Sequence, residues 1–536
     1  MAADRIERVA REAFGFDALR PGQRDAIEAV LAGRDVLVVM STGSGKSAIY
    51  QIAALLLPGA TVVVSPLLAL QRDQVDHLRA QAAGGAAAIS SAVRRSERAE
   101  ALAELAEDAL EFVFLAPEQL AKADVLDELA VARPSLFVVD EAHSISEWGH
   151  DFRPDYLRLG AAVEALGRPT VLALTATAAP PVRDEIVERL GLRGPFVLTR
   201  GFDRPEIRLC VERHFDEERK LRALREHVAA EAPPGIVYVA TRRGAEELAA
   251  ELCKDGLRAA AYHAGMRKRD RESAQNRFMD DELDVIVATT AFGMGVDKPN
   301  VRWVVHAEIS ESLDSYYQEI GRAGRDGEPA MATLFYRAED VGLRRFFSGG
   351  QVDVAEIATV LDAVGDGPLA ASALQETTGL PETRLAVALS RLEEAGAIQQ
   401  QADGEVAPAA GAPPHRAAIE AAAAAEERRH EFDRSRVDMV RAYAETSGCR
   451  RAFVLSYFGE PFEPPCGNCD NCLAGRATAP PADVPFPVGT RVAHDEWGEG
   501  VVQRYEEDSL VVLFDEAGYR TLALGVVVER SLLRAA

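Results

Sequence analysis

A lysine and a hydroxyl in tandem, Lys46–Ser47, follow a turn with glycines at 43 and 45, and the apolar run VLVVM (36–40) precedes that turn. Backbone N–H groups of such a turn can face a phosphate, and the N-terminus of the helix that follows adds partial positive charge. Thr42, Gly43, Ser44, Gly45, Lys46 and Ser47 are therefore candidates to cradle a nucleotide's phosphates. Lys46 would reach the β- and γ-phosphates and Ser47 would ligate Mg²⁺. Met40 stands where the strict eight-residue pattern has its first glycine, but the order strand, loop, helix is right. Further on, VVDEAH (138–143) ends another apolar run on two acids. Asp140, at the end of a strand parallel to the first, can hold Mg²⁺, and Glu141 can polarise an attacking water. Two such acids could instead cap a helix.

Three further groups could do chemistry. In YYQEIGRAGRDG (316–327), Arg322 and Arg325 are three apart, which predicts one helix face. An arginine reaching a γ-phosphate from a neighbouring domain stabilises the charge that develops in transfer. Cys449, Cys466, Cys469 and Cys472 give four thiolates with two tight steps. That is the pattern of a closed, structural zinc site, with an iron–sulfur cluster as the alternative. Finally SEWGHDFRP (146–154) sets Trp148, His150, Phe152 and Arg153 next to the two acids. Bases of a single strand stack on aromatics without sequence preference; the alternative is that Trp148 and Phe152 pack a domain edge.

Elements must position these groups. Unbroken apolar runs at 35–40, 61–66, 111–117, 136–142 and 170–177 alternate with helix-like segments such as 70–82. That predicts an α/β domain with a doubly wound parallel sheet, its strands buried on both faces. A second series at 235–241, 259–265, 284–290, 303–309 and 332–337 predicts another, with a junction near 201–209. We expect a first domain over 1–205 and a second over 206–340. Residues 352–410 read as three helices and a hairpin, a winged-helix candidate, with Pro381 at a helix start and Gly396 at a helix end. A helical, cysteine-bearing module over 416–473 and a small barrel over 488–536 follow, joined by a proline-rich linker.

The chain has 536 residues, a formal net charge of −25 and six cysteines. The charge argues against a bulk nucleic-acid coat but leaves local basic tracks such as RKRDR (267–271). The low cysteine use and the charged first residues predict a cytoplasmic protein without a signal peptide.

Taken in order, FGFDALRPGQ (14–23), the phosphate loop, SPLLALQRDQV (65–75), DEAH (140–143), TAT (175–177), YHAG (262–265), VATTAFGMGVDKPNVRWVVH (287–306) and QEIGRAGR (318–325) resemble a superfamily-two helicase of the RecQ family. The resemblance covers residues 14–340 and implies two RecA-like domains that close on ATP and Mg²⁺. It implies that Phe16 stacks near the adenine, that Arg20 and Gln23 hold it, and that His143, Gln318, Arg322 and Arg325 belong to the catalytic set. Residues 146–154 resemble the family's aromatic-rich loop, so Trp148, His150, Phe152 and Arg153 would sense single-stranded DNA. CRRAFVLSYFGEPFEPPCGNCDNC (449–472) is similar to the family's zinc module and favours Zn²⁺. The implied activity is ATP-dependent 3′–5′ unwinding of duplex DNA, in repair and recombination, near the nucleoid. One departure stands out: the winged-helix-like segment precedes the cysteines, where the family usually puts it after them. The tail 488–522 resembles a Tudor-like barrel, and its acids with Trp497 and Tyr519 suggest a mobile domain that docks a protein partner. Two rival functions are an RNA remodelling enzyme with the same engine and a DNA adaptor with a dead ATPase.

Overall fold

A computed structural model describes residues 2–41, 43–66, 68–81, 84–89, 95–107, 109–120, 122–146, 153–293, 296–342, 353–365, 367–400, 405–477, 484–506 and 508–536. The chain divides into two compact units, residues 1–200 with 350–429 and residues 201–349 with 430–536.

In the first unit seven strands form one sheet: β1 (Val36–Met40), β2 (Thr61–Val64), β3 (Ala86–Ile89), β4 (Phe112–Leu115), β5 (Leu136–Val139), β6 (Thr170–Thr175) and β7 (Phe196–Arg200). Their order is β3-β4-β2-β5-β6-β1-β7, and every pair is parallel. Strands β1, β2, β4 and β5 are buried along their whole length, as the unbroken apolar runs require of strands covered on both faces. Residues 353–408 add three helices, Val354–Val364, Ala371–Thr378 and Glu382–Glu394, and the long helix His415–Glu445 begins after them. With them goes a three-stranded antiparallel sheet of β14 (Leu369–Ala370), β15 (Ile398–Gln400) and β16 (Glu405–Pro408), in the order β14-β16-β15. This is a winged-helix arrangement. Pro381 caps its third helix and Gly396 follows it in the left-handed region, at φ 66°.

The second unit begins with a six-stranded parallel sheet of β8 (Ile207–Arg213), β9 (Gly235–Tyr238), β10 (Ala259–Tyr262), β11 (Val285–Ala288), β12 (Trp303–His306) and β13 (Ala330–Tyr336). Its order is β10-β11-β9-β12-β13-β8. The cysteine module joins this sheet through its edge strand: Leu209 bridges Cys469, and Val211 N–H donates to the Asp470 carboxylate at 3.2 Å. The tail forms a five-stranded antiparallel sheet of β17 (Arg491–His494), β18 (Gly498–Glu506), β19 (Ser509–Phe514), β20 (Gly518–Ala523) and β21 (Arg534–Ala535), in the order β20-β19-β18-β17-β21. Strands β20 and β21 end this order and the helix Leu524–Arg530 links them in the chain, a small antiparallel sheet domain where the sequence predicted a small barrel. Trp497 packs on this domain's own core and stacks on His494 at 4.1 Å. Tyr519 is buried rather than displayed to solvent.

Candidate active site and metal centre

Strands β5, β6 and β1 lie side by side and leave the sheet on the same edge. Open parallel sheets hold ligands at such carboxyl ends. After β1, Gly43 and Gly45 take φ of 78° and 79°, a conformation glycine adopts without steric cost. A Cβ at Gly45 would lie 2.9 Å from Gln23 Nε2. Gln23 Nε2 donates to Gly45 O at 2.9 Å and Ser44 O at 3.3 Å, and Arg20 Nη1 donates to Gly43 O. The two residues expected to hold the base are thus fastened to the carbonyls of the phosphate loop. Phe16 stacks on Phe14 at 5.8 Å and, with Arg20, lines an open cavity of about 360 Å³, within the size range of small-ligand sites. Lys46 opens the helix Lys46–Ala54, and its Nζ donates to Met40 O at 2.9 Å and Ser41 O at 3.3 Å. Ser47 stands next on the same first turn; Thr42 lies outside the described residues.

Asp140 follows β5, and its Oδ1 accepts from Glu141 N–H at 3.0 Å. Burial, and then the Glu141 carboxylate, push Asp140 up to about 7, while Lys46 pulls it back. A divalent cation would relieve two acids so placed. The residues therefore fit Mg²⁺, with Asp140 and Ser47 to hold it. Glu141 itself sits in the left-handed region at φ 49°, ψ 47°, strain of the kind that gathers at working sites. His143 is fully buried; its Nδ1 lies 2.9 Å from Thr175 Oγ1 and 3.4 Å from the Glu141 carboxylate. The DEAH and TAT segments are thereby joined through side chains.

The described ends of the aromatic-rich stretch are anchored close to these acids in the chain. Ser146 Oγ donates to Glu185 at 2.6 Å, Arg153 N–H to Ser144 O at 2.9 Å, and Arg153 Nη1 to Pro66 O at 3.3 Å. Tyr156 OH donates to the carbonyl of Asp140 at 3.0 Å. Trp148, His150 and Phe152 lie outside the described residues. Tyr156 and Thr175 were not singled out from sequence; Thr175 opens the quoted TAT segment, and Tyr156 stands two residues after SEWGHDFRP.

In the second unit the helix Leu313–Ile320 carries half-buried Gln318 and then stops. Arg322 and Arg325 lie in the turn beyond it, not on a helix face as expected, because the glycines of IGRAGR end the helix and Gly324 turns left-handed at φ 63°. The two guanidinium groups nevertheless converge. Both reach Val296 O, at 3.5 and 3.2 Å, and Arg325 pairs with Asp297 at 2.6 Å. Burial and then Arg322 pull Arg325 below its usual value. Two cations held this close suit an anion.

The four cysteine sulfurs lie within 4.8 Å of one another, with Cys466 and Cys472 3.8 Å apart. Four sulfurs at about 2.3 Å from one tetrahedral ion lie about 3.8 Å from each other. A polynuclear iron–sulfur cluster would hold them further apart. Backbone N–H groups of Asn468 and Cys472 point at Cys466 and Cys469 sulfurs, at 3.4 and 3.5 Å, as suits thiolates. Cys449, Cys466, Cys469 and Cys472 thus fit Zn²⁺ and leave no ligand position for water.

Comparison with known proteins agrees with this geometry. The DEAD/DEAH box helicase family model matches residues 20–186, the helicase conserved C-terminal domain residues 219–327, and the RecQ zinc-binding model residues 413–473. The probable ATP-dependent DNA helicase RecS of Bacillus subtilis (strain 168) is 37% identical over 478 residues, 87% of this chain and 92% of the relative. The ATP-dependent DNA helicase RecQ of Pasteurella multocida (strain Pm70) is 35% identical over 460 residues, 86% of this chain but only 61% of the relative. The solved structure of the DEAD-box helicase Mss116 bound to ssRNA and UDP-BeF matches the fold, with a TM-score of 0.51 and 17% identity over 72% of this chain and 88% of that one. Tandem RecA-like ATPase sheets with a cysteine-rich module define a superfamily-two helicase class. Within it, this chain belongs to the RecQ family of ATP-dependent DNA helicases. No helix among the described residues is long and apolar enough to cross a membrane.

Proposed function

We propose that the protein is an ATP-dependent DNA helicase that moves 3′ to 5′ on single-stranded DNA and unwinds duplexes, in the service of repair and recombination. The observation that supports the reading is the hydrogen bond from Tyr156 OH, three residues beyond the stretch 146–153, to the carbonyl of Asp140. A strand that stacks on that stretch would pull on a segment whose continuation, Tyr156, is fastened to the metal-holding acid. ATP with Mg²⁺ supplies the phosphoryl group and the charge that polarises it. Lys46 neutralises the phosphates, Glu141 orients and deprotonates water, and Arg322 and Arg325 receive the charge from the second domain. Phe16, Arg20 and Gln23 select the base. A DNA substrate would put the protein's work in the cytoplasm, beside the nucleoid. A protein contact through the C-terminal domain falls to the face bearing Trp497 and the carboxylates of Asp495 and Glu499, because Tyr519 is used internally.

ATPase and unwinding assays with forked, gapped and blunt DNA, and with matching RNA, test the assignment. DNA stimulation with unwinding supports it; stimulation by RNA alone transfers the engine to RNA remodelling. The strand sensor has its own test. Trp148→Ala with Phe152→Ala should cut DNA stimulation about tenfold or more, since each stacked base contributes about 1–3 kcal/mol. Nucleotide affinity should stay within about twofold. An unchanged stimulation ratio would return both aromatics to a packing role.

A further inference from the structure

The C-terminal sheet domain is built into the second unit by its β20 edge. Tyr519 is 4% exposed; its ring stacks on Tyr457 with centroids 5.2 Å apart, and its N–H donates to Ser435 Oγ at 3.2 Å. A Cβ at Gly518 would lie 2.5 Å from Ser435 Oγ and 2.9 Å from Phe432, so β20 comes this close only with glycine there. On β18, buried Arg504 sets its guanidinium 3.6 Å from the centre of the Phe453 ring. A domain that swings freely on a linker would keep such groups in water.

The contacts continue inward. Tyr457 OH donates to Asp314 Oδ2 at 2.5 Å, and Arg436 Nη2 lies 3.4 Å from the same oxygen. The side chains of Asp314 and Arg436 are 3% and 7% exposed. Asp314 stands in the first turn of the helix Leu313–Ile320, which carries Gln318 and runs straight into Arg322 and Arg325. Two residues on, Tyr316 OH meets Tyr443 OH at 3.1 Å. One more residue along, Tyr317 packs against Phe202 and Phe458, at 5.5 and 5.0 Å. A buried carboxylate gripped by two donors fixes its helix in rotation as well as in place.

We propose that Asp314, Arg436, Tyr457 and Tyr519 are positioning residues for ATP hydrolysis. Through them the C-terminal domain sets the attitude of the helix that presents Gln318 and the two arginines. The domain is then a working part of the motor. None of the four touches nucleotide; each acts through the next. The proposal rests on the reading of Arg322 and Arg325 as the phosphate-facing arginines.

The test uses the full chain with Tyr457→Phe, Tyr519→Ala and Tyr519→Phe. For each, kcat and KM for ATP are measured with saturating single-stranded DNA, alongside zinc content and melting temperature. Tyr457→Phe keeps the ring and removes the donor to Asp314. It should lower kcat about five- to tenfold, with KM within about twofold and zinc retained, a change of about 1–1.4 kcal/mol in barrier. Tyr519→Ala should lower kcat in the same sense, and Tyr519→Phe should restore it. Folded Tyr457→Phe protein with unchanged kcat overturns the proposal, even if its melting temperature falls, because that pattern is purely structural. Should Tyr519→Ala not fold, Tyr457→Phe decides alone. Failure of the underlying reading looks different: Arg322→Ala and Arg325→Ala would then hydrolyse ATP as fast as the unaltered protein.

Discussion

Lys46→Ala protein is expected to fold normally and to hydrolyse ATP at least about a hundredfold more slowly than the unaltered chain, with or without DNA. The size follows from removing one preorganised charge where negative charge develops, a change that commonly lowers turnover about 10²–10³-fold. The fold should survive because Lys46 is only half-buried and its Nζ donates to the backbone carbonyls of Met40 and Ser41, so the substitution removes no core side chain. The helix it opens is held instead by buried Ile49, Ile52 and Ala53. Melting should therefore shift little. Turnover at the normal rate would remove the phosphate-loop assignment, and with it the reading of Asp140 and Glu141.

Loss of zinc should have the largest effect on stability. Cys469→Ala leaves three thiolates without their fourth partner, and a closed structural site contributes about 10–16 kcal/mol in isolated peptides at neutral pH. The damage would not stay local. Cys469 is fully buried and bridges Leu209 of β8, and Arg450 pairs with Asp470 at 2.6 Å, which in turn accepts from Val211. The variant should be poorly soluble, lack the one zinc per chain expected by elemental analysis, and melt more than about 10 °C lower, since about 2–4 °C is lost per kcal/mol in domains of 150–250 residues. Iron with sulfide in the purified protein would displace the zinc assignment.

Much of this was legible in the sequence because the signals are local. A strand buried on both faces writes itself as an unbroken apolar run, and β1, β2, β4, β5 and β6 lie inside the runs read from the sequence. Two strands of the first sheet escaped that test. Strand β3 is Ala86–Ile89, three alanines before an isoleucine, with low strand preference of its own. Strand β7 is a half-exposed edge. The helix face expected for Arg322 and Arg325 failed because a spacing of three suits a helix and a glycine turn alike. Asp314 went unnoticed for a different reason. With Ser312 capping the helix, an acid in the first turn reads as a response to the helix dipole. Its partners Arg436 and Tyr457 stand 122 and 143 residues away, beyond any local pattern. The seat of the C-terminal domain was missed likewise, since a proline-rich linker says nothing of where the chain goes afterwards.

The left-handed backbone at Glu141 bears on how this protein can change. That conformation costs a non-glycine residue about 1–3 kcal/mol, and the Glu141 carboxylate also makes its neighbour Asp140 harder to ionise. Glycine at 141 would relieve both burdens. Random mutagenesis screened for heat resistance alone should therefore find Glu141→Gly among its survivors, sturdier and hydrolytically silent. Selection for turnover must keep restoring an acid that the fold, left to itself, would discard.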